Sequence, residues 1–351
     1  MTIKTRILVI SDTHGKPFDI RPEHKADVVI HCGDLTKQSK LAEYVRIIQF
    51  LTALDAPLKL VIAGNHDFTL DAGAFERKIN ESTEFLGPEL VRRWYGDYGE
   101  VRRLFDTAPG ITFLDEGTHQ FNLLNGALMT VYASPYTPST SGDVFQYHPE
   151  DGHQFRIEQY TDIVITHGPP QGIMDRTYHG RAGCIDLFAA VASARPQLHC
   201  FGHIHQEWGA KLVAWKYPNA DTSDPFRDID NDRSIVIDTL RRVTRRRLDT
   251  PQAAFGKLYR AGQHTQQGYC MTSCYHGDRD DVGRGTHTLF VNAALEGVSD
   301  SFPMHPPWIV DIDLPSSHER GNKKTHSDPV EATLPLVSER YEYNYGKRDL
   351  Q

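Results

Sequence analysis

An α/β fold built on parallel strands is predicted by three observations. Short β-branched runs recur between residues 6 and 201, apolar residues at helical spacing separate them, and five runs stop at residues able to ligate a metal. The first run is 6–11 (RILVIS), the second 27–31 (DVVIH) and the third 58–63 (LKLVIA). Between the second and third, Leu41, Val45, Ile48 and Leu51 fall at helical spacing over a stretch that Pro57 closes. This β-α-β rhythm implies parallel strands with right-handed crossovers. Strands of that kind are buried on both faces, which is why the runs are apolar without alternation.

Residues 72–106 are charged and aromatic, with helical character broken at Gly87-Pro88, Gly96 and Gly99, and read as a covering helical excursion. Strands are expected again at 111–114 and 128–133, followed by a loop rich in Ser, Thr, Pro and Gly over 135–152. Two more are expected at 162–166 (DIVIT) and 198–201 (LHCF), with a helix around 185–194 between them, and late strands at 288–292 and 308–312. Residues 216–286 are rich in Asp, Arg, Gly and Gln and read as a long insertion before the late strands. Residues 315–351 carry few apolar anchors and read as a partly ordered tail. The domain expected is 1–314, insertion included.

A chain of 351 residues can bury one large core or two smaller ones, and the spread of the motifs favours one. With 39% hydrophobic residues and no apolar run of bilayer length, no membrane span is expected. The N-terminus enters a strand-like run without the pattern of a secretory signal, so a cytoplasmic location is expected. Cys32, Cys184, Cys200, Cys270 and Cys274 are too few for a disulfide framework and read as reduced thiols. The net charge of -8 argues against long nucleic acid as a partner and is compatible with a small phosphorylated substrate. Locally, Arg241, Arg242, Arg245, Arg246 and Arg247 form a basic cluster, read as a solvated helix end.

The chemistry is carried by the polar residues at the carboxyl end of each apolar run. Asp12-x-His14 closes the first, Gly33-Asp34 the second, and Gly64-Asn65-His66-Asp67 the third; His167-Gly168 closes the fourth and Gly202-His203-x-His205 the fifth. In an open α/β sheet, ligands bind at the carboxyl ends of the strands, so these separate motifs can converge. Residues two apart on extended backbone point the same way, which lets each x-spaced pair serve one centre. Four imidazoles, two carboxylates and one amide oxygen are too many donors for one tetrahedral ion and enough for two ions sharing a carboxylate. Nitrogen and oxygen donors without thiolate suit Mn, Fe or Zn. A zinc site at Cys270, Cys274 and His276 lacks a clear fourth ligand. His31, His179, Arg176 and Arg181 lie near the motif ends or in the loop after His167 and are not assigned to catalysis.

The ordered set Asp-x-His, Gly-Asp, Gly-Asn-His-Asp, His-Gly and Gly-His-x-His, spread over residues 7–205, resembles the calcineurin-like metallophosphoesterases. A narrower likeness, carried by 64–71, 166–170, 183–184, 290–293 and 306–310, is to the metallophosphoesterase-domain-containing subfamily, related to class III cyclic nucleotide phosphodiesterases. The resemblance implies a four-layer α/β-β/α sandwich with metals along one edge. It implies one divalent ion on Asp12, His14, Asp34 and His205 and another on Asp34, Asn65, His167 and His203, with Asp34 shared. It also implies that His66 contacts the scissile phosphate or protonates the leaving oxygen, with Asp67 orienting it. The expected activity is hydrolysis of a small phosphodiester such as a cyclic nucleotide. The competing readings are a phosphomonoesterase acting on a nucleotide, metabolite or phosphoprotein, a nucleotide-binding regulatory protein with little turnover, and a metal Lewis-acid catalyst of a non-phosphoryl reaction.

Overall fold

A strand that is apolar on both faces needs cover on both sides. The computed structural model, which describes residues 1–83, 87–141, 144–216, 223–276, 283–299 and 302–317, provides it with two stacked sheets and outer helices. Along Thr2–Ile10, Ile7 and Val9 join a core shared with the other sheet, while Leu8 and Ile10 join a second core under the outer helices. The same division holds along Ile163–Thr166, where Ile163 and Ile165 face the shared core and Val164 faces the helix Ile185–Ala194. Helix, sheet, sheet and helix are the four layers expected.

The first sheet runs Cys270–Ser273, Trp308–Pro315, Thr2–Ile10, Val28–His31, Leu58–Val61 and Ile111–Phe113. Its last four strands are mutually parallel. The second sheet runs Ile229–Thr239, Gly209–Trp215, His287–Asn292, Leu198–Phe201, Ile163–Thr166, Leu128–Ser134 and Gly117–Asn122. Its four strands from His287–Asn292 to Leu128–Ser134 are parallel. Two parallel blocks therefore end in the same region, and that placement sets up the site.

The helix expected between the second and third strands is Leu41–Ala53, but its inward face differs from the one read off the sequence. Tyr44, Ile47, Phe50 and Leu51 are buried, whereas Val45 is 38% exposed. Both sets have helical spacing, so period alone did not distinguish the inner stripe from its flank. The excursion over 72–106 is three helices, Ala72–Thr83, Pro88–Tyr95 and Glu100–Thr107, with Gly96 and Gly99 both left-handed at the breaks.

The expected insertion at 216–286 is the main departure. Its described residues add Ile229–Thr239 to the edge of one sheet and Cys270–Ser273 to the edge of the other, with the helix Pro251–Gln267 between them. Cys270 and Cys274 pack in the shared core and are free thiols, so they belong to packing rather than to a zinc site. The expected tail at 315–351 lies outside the described residues from 318 onward. Among the described residues, no helix is long and apolar enough to cross a membrane.

Leu60 is fully buried in the shared core, while Leu248 is 94% exposed. Leu60→Ala should lower unfolding free energy by about 2–5 kcal/mol through lost burial and the cavity left behind. Leu248→Ala should change it by no more than about 0.5 kcal/mol. Urea unfolding followed by circular dichroism checks both, and equal costs would contradict this layer assignment.

Candidate metal centre

Leaving a strand for a tight polar turn bends the backbone in a way that L residues resist. Eight described non-glycine residues have left-handed φ, and four of them are Asp12 (51°), His14 (45°), Asp34 (52°) and His203 (68°). Each costs on the order of 1–3 kcal/mol, so their gathering at strand ends marks a place where geometry is imposed. The turns also pack closely. A Cβ on Gly202 would collide with Asp12 and Ser11, and one on Gly64 would collide with Asp34 and sit 2.8 Å from the His167 ring.

The structure brings Asp12, His14, Asp34, Asn65, His167, His203 and His205 to one place. His205 Nε2 is 3.2 Å from Asp12 Oδ1 and 3.5 Å from His14 Nε2. His167 Nε2 is 3.4 Å from Asp34 Oδ2 and 2.9 Å from Asn65 Oδ1. Asp34 Oδ2 is also 3.8 Å from His14 Nε2. Three groups of possible donors result: Asp12, His14 and His205; His14, Asp34 and His66; and Asp34, His167 and His203, each with ligand atoms within 4.8 Å of one another.

The hydrogen bonds around these rings test whether metal ions fit. His14 Nδ1 is 3.2 Å from the Thr36 carbonyl, and His167 Nδ1 is 2.9 Å from the Cys32 carbonyl. A carbonyl only accepts, so each Nδ1 carries a proton and each Nε2 points inward, free to offer a lone pair wherever a cation takes the place of a second proton. Those Nε2 atoms face carboxylate oxygens, an amide oxygen or another Nε2, an arrangement that calls for positive charge in the middle, supplied by protons or by metal ions. The donor set therefore fits bound divalent cations.

The electrostatics show the same demand for positive charge. Burial alone would lower the His167 pKa, but Asp34 above all, with Asp12 and the Cys32 carbonyl, pushes it up to about 9, so without a metal ion this ring carries the positive charge itself, on a proton that a bound cation would displace. Burial alone would raise Asp34, yet His167 and His14 hold it down at about 2. Asp12 lies well below the carboxylate range, because His205, His167 and His14 outweigh its burial. His203 is lowered to about 4 by burial and by His167, which leaves a neutral imidazole.

His66 and Asp67 take separate positions. The His66 ring has 43% of its side chain exposed, with Nδ1 3.1 Å from the Lys37 carbonyl and Nε2 4.0 Å from Asp34 Oδ2. Asp67 does not hold that ring, contrary to the expectation. Its buried carboxylate accepts from the backbone N–H groups of Leu35, Thr36 and Gly64 and from the Thr36 hydroxyl, at 2.8–3.0 Å. The two residues are adjacent on the chain, and their side chains point apart. Asp67 thus ties the turn bearing Asp34 to the turn bearing Asn65.

Glu296 was missed. Its Oε2 is 3.4 Å from His14 Nε2 and 3.9 Å from His205 Nδ1, and its Oε1 is 3.2 Å from Lys16 Nζ. Burial alone would raise Glu296, but His14, Lys16 and His205 hold it below its usual range. The signal was available, because His287–Asn292 is parallel to Leu198–Phe201 and its carboxyl end faces the same site. Asn292 connects the two regions, donating to the Ile204 carbonyl at 3.0 Å and accepting from Ala294 N–H at 3.1 Å. His31 lies inside the core, bonded to Thr13 and lowered to about 3 by burial, while His179 is exposed.

Residues 5–207 match the family model described as calcineurin-like phosphoesterase. Over 211 residues the chain is 30% identical to human metallophosphoesterase domain-containing protein 1, covering 58% of this chain and 62% of that protein. Over 213 residues it is 32% identical to a protein of Emericella nidulans named probable rhamnogalacturonate lyase C, covering 60% of this chain and 18% of that one. The chain thus spans less than two thirds of the length of these curated relatives. The crystal structure of the Thermus thermophilus protein TT1561 aligns with 60% of this chain and 84% of that chain, at 14% identity and a TM-score of 0.36.

Asp67→Ala should destabilise the fold by about 3 kcal/mol or more in urea unfolding, because several buried donors lose their acceptor together. Gly202→Ala should weaken metal binding by about tenfold or more through displacement of Asp12. Titration with a divalent ion followed by calorimetry checks the second, and unchanged affinity would count against the close packing described.

Proposed function

This chain belongs to the calcineurin-like phosphoesterase family, and on that premise we propose that it hydrolyses phosphoesters using two divalent ions. The ligands proposed are Asp12, His14, Asp34, Asn65, His167, His203 and His205, with Asp34 shared. The observation that supports this best is the place of Asp34 in two of the three donor groups, between His14 on one side and His167 on the other. Nitrogen and oxygen donors without thiolate favour Mn, Fe or Zn. The substrate proposed is a small phosphodiester such as a cyclic nucleotide, the class implied by the sequence resemblance.

Ions held there supply Lewis acidity toward phosphoryl oxygens and make a water more acidic. The protein's own contribution is placement. Carbonyls of Thr36 and Cys32 fix two ring tautomers, and Asp12 holds the His203 turn by accepting its backbone N–H at 3.0 Å. His66 is the one imidazole of the cluster with a large exposed surface, and its Nε2 faces the site. It is proposed to contact the scissile phosphate or to deliver a proton to the leaving oxygen. The proposed catalytic unit covers residues 1–314, in a cytoplasmic setting that suits five buried free thiols.

A panel of bis-(p-nitrophenyl) phosphate and p-nitrophenyl phosphate with added Mn tests the reaction. Turnover of the diester is expected to exceed that of the monoester and to stop when a chelator removes the metal. Equal or faster monoester turnover would reverse the substrate preference. His66→Ala should lower kcat by about 100-fold or more with metal content unchanged. Asp34→Ala should lose metal by elemental analysis, and equal metal loss in both variants would remove the role given to His66.

A further inference from the structure

Beside the metal centre, two overlapping cavities of about 360 and about 420 Å³ share Arg176, Gln206, Glu207, Leu240 and Arg241. Gln206 directly follows His205, so the groove opens one residue from a proposed ligand. Its other wall includes Val298, two residues along the same strand from Glu296. The first cavity is lined by four cationic side chains, Arg176, Arg181, Lys211 and Arg241, against two carboxylates, Asp175 and Glu207. The sequence as a whole carries -8, so this is a local reversal of sign.

The two carboxylates do not neutralise the groove. Asp175 is buried, pairs with Arg181 and accepts from Gly172 N–H at 2.8 Å. Glu207 is 3.5 Å from Arg241. The Lys211 ammonium has no hydrogen-bond or ion-pair partner among the described residues. It is half-buried, and burial and Arg181 together lower its pKa. A cation taken partly out of water beside another cation is unfavourable until an anion joins it.

We propose that this groove is a second anion subsite, and that the substrate carries a further phosphate or equivalent anionic group besides the one placed at the metal centre. The inference rests on the phosphoesterase reading and narrows it, to a small phosphodiester that bears a second anionic group, which a simple cyclic nucleotide does not. Arg176 and Arg181 offer planar forks and Lys211 a point charge, a set suited to a phosphate oxygen array. Arg246 extends the same charge along the groove.

The test uses the full chain with its metals and a series of alkane bisphosphonates of increasing length, each compared by calorimetry with its monophosphonate. At least one bisphosphonate should bind about tenfold more tightly than its monophosphonate. Lys211→Gln and Arg176→Gln should each reduce that ratio toward unity, while Arg46→Gln, on an exposed face of the helix Leu41–Ala53, should leave it unchanged. Arg176 lies in a short surface hairpin, so its variant serves if Lys211→Gln fails to fold. A ratio near unity throughout the series, or one that survives both variants, would overturn the subsite. Tighter capture of an oligonucleotide than of any bisphosphonate would overturn its small-substrate form. Diester hydrolysis without bisphosphonate preference refutes the subsite alone; preference without hydrolysis of any phosphoester refutes the enzymatic reading and supports the groove.

Discussion

Oxygen and nitrogen lone pairs crowded at one water-poor edge repel one another unless positive charge stands between them, and the fold of this chain is arranged around that constraint. Asp34 is the point where it is sharpest. Its carboxylate is buried between His14 and His167, and its Oδ1 also accepts the His66 backbone N–H at 2.8 Å. Replacing those contacts by water would remove the need for charge, yet would also dissolve the geometry. The buried arrangement is therefore a statement about what the site binds.

Holding such a cluster has a conformational cost, and the scaffold meets it with rigid supports. Left-handed backbone at Asp12, His14, Asp34 and His203 is tolerated because the flanking strands are pinned in parallel ladders. Asp67 ties two of the turns through backbone N–H groups, and Asn292 ties a third to the segment that carries Glu296. Side chains away from the reacting position thus keep the donors in place while leaving His66 open to solvent.

Legibility in the sequence obeys the same logic of burial. The central strands announce themselves because both faces are apolar, and their polar ends stand out against that background. Edge strands do not: Gly117–Asn122 alternates between half-buried and exposed, and most of Ile229–Thr239 is exposed or half-buried. The strand Gly209–Trp215 is buried, but Lys211 interrupts its apolar run. The place of Asp67 was not legible either: its orienting role is implied by the resemblance alone, and nothing in the sequence indicates that its carboxylate turns to the backbone N–H groups of Leu35, Thr36 and Gly64. Glu296 escaped because it sits four residues beyond Asn292, in a segment with no strong pattern of its own.

The edge strands that escaped reading are held less tightly than the strand ends that carry the donors. A strand end in the middle of a sheet is fixed by neighbours on both sides, so the residues there suit chemistry that tolerates little displacement. An edge strand is fixed on one side only. Pairing between Gly209–Trp215 and Ile229–Thr239 shifts register between Ala210 and Lys211 and again between Leu212 and Ala214. Such irregularities re-aim side chains locally and leave the rest of the sheet in place. Lys211 sits at one of them and lines the basic groove, one strand in from the edge, while the donors stand at the ends of the central parallel strands. The proposed anion subsite and the proposed ligand set then rest on different mechanical supports, and a change in one need not unsettle the other.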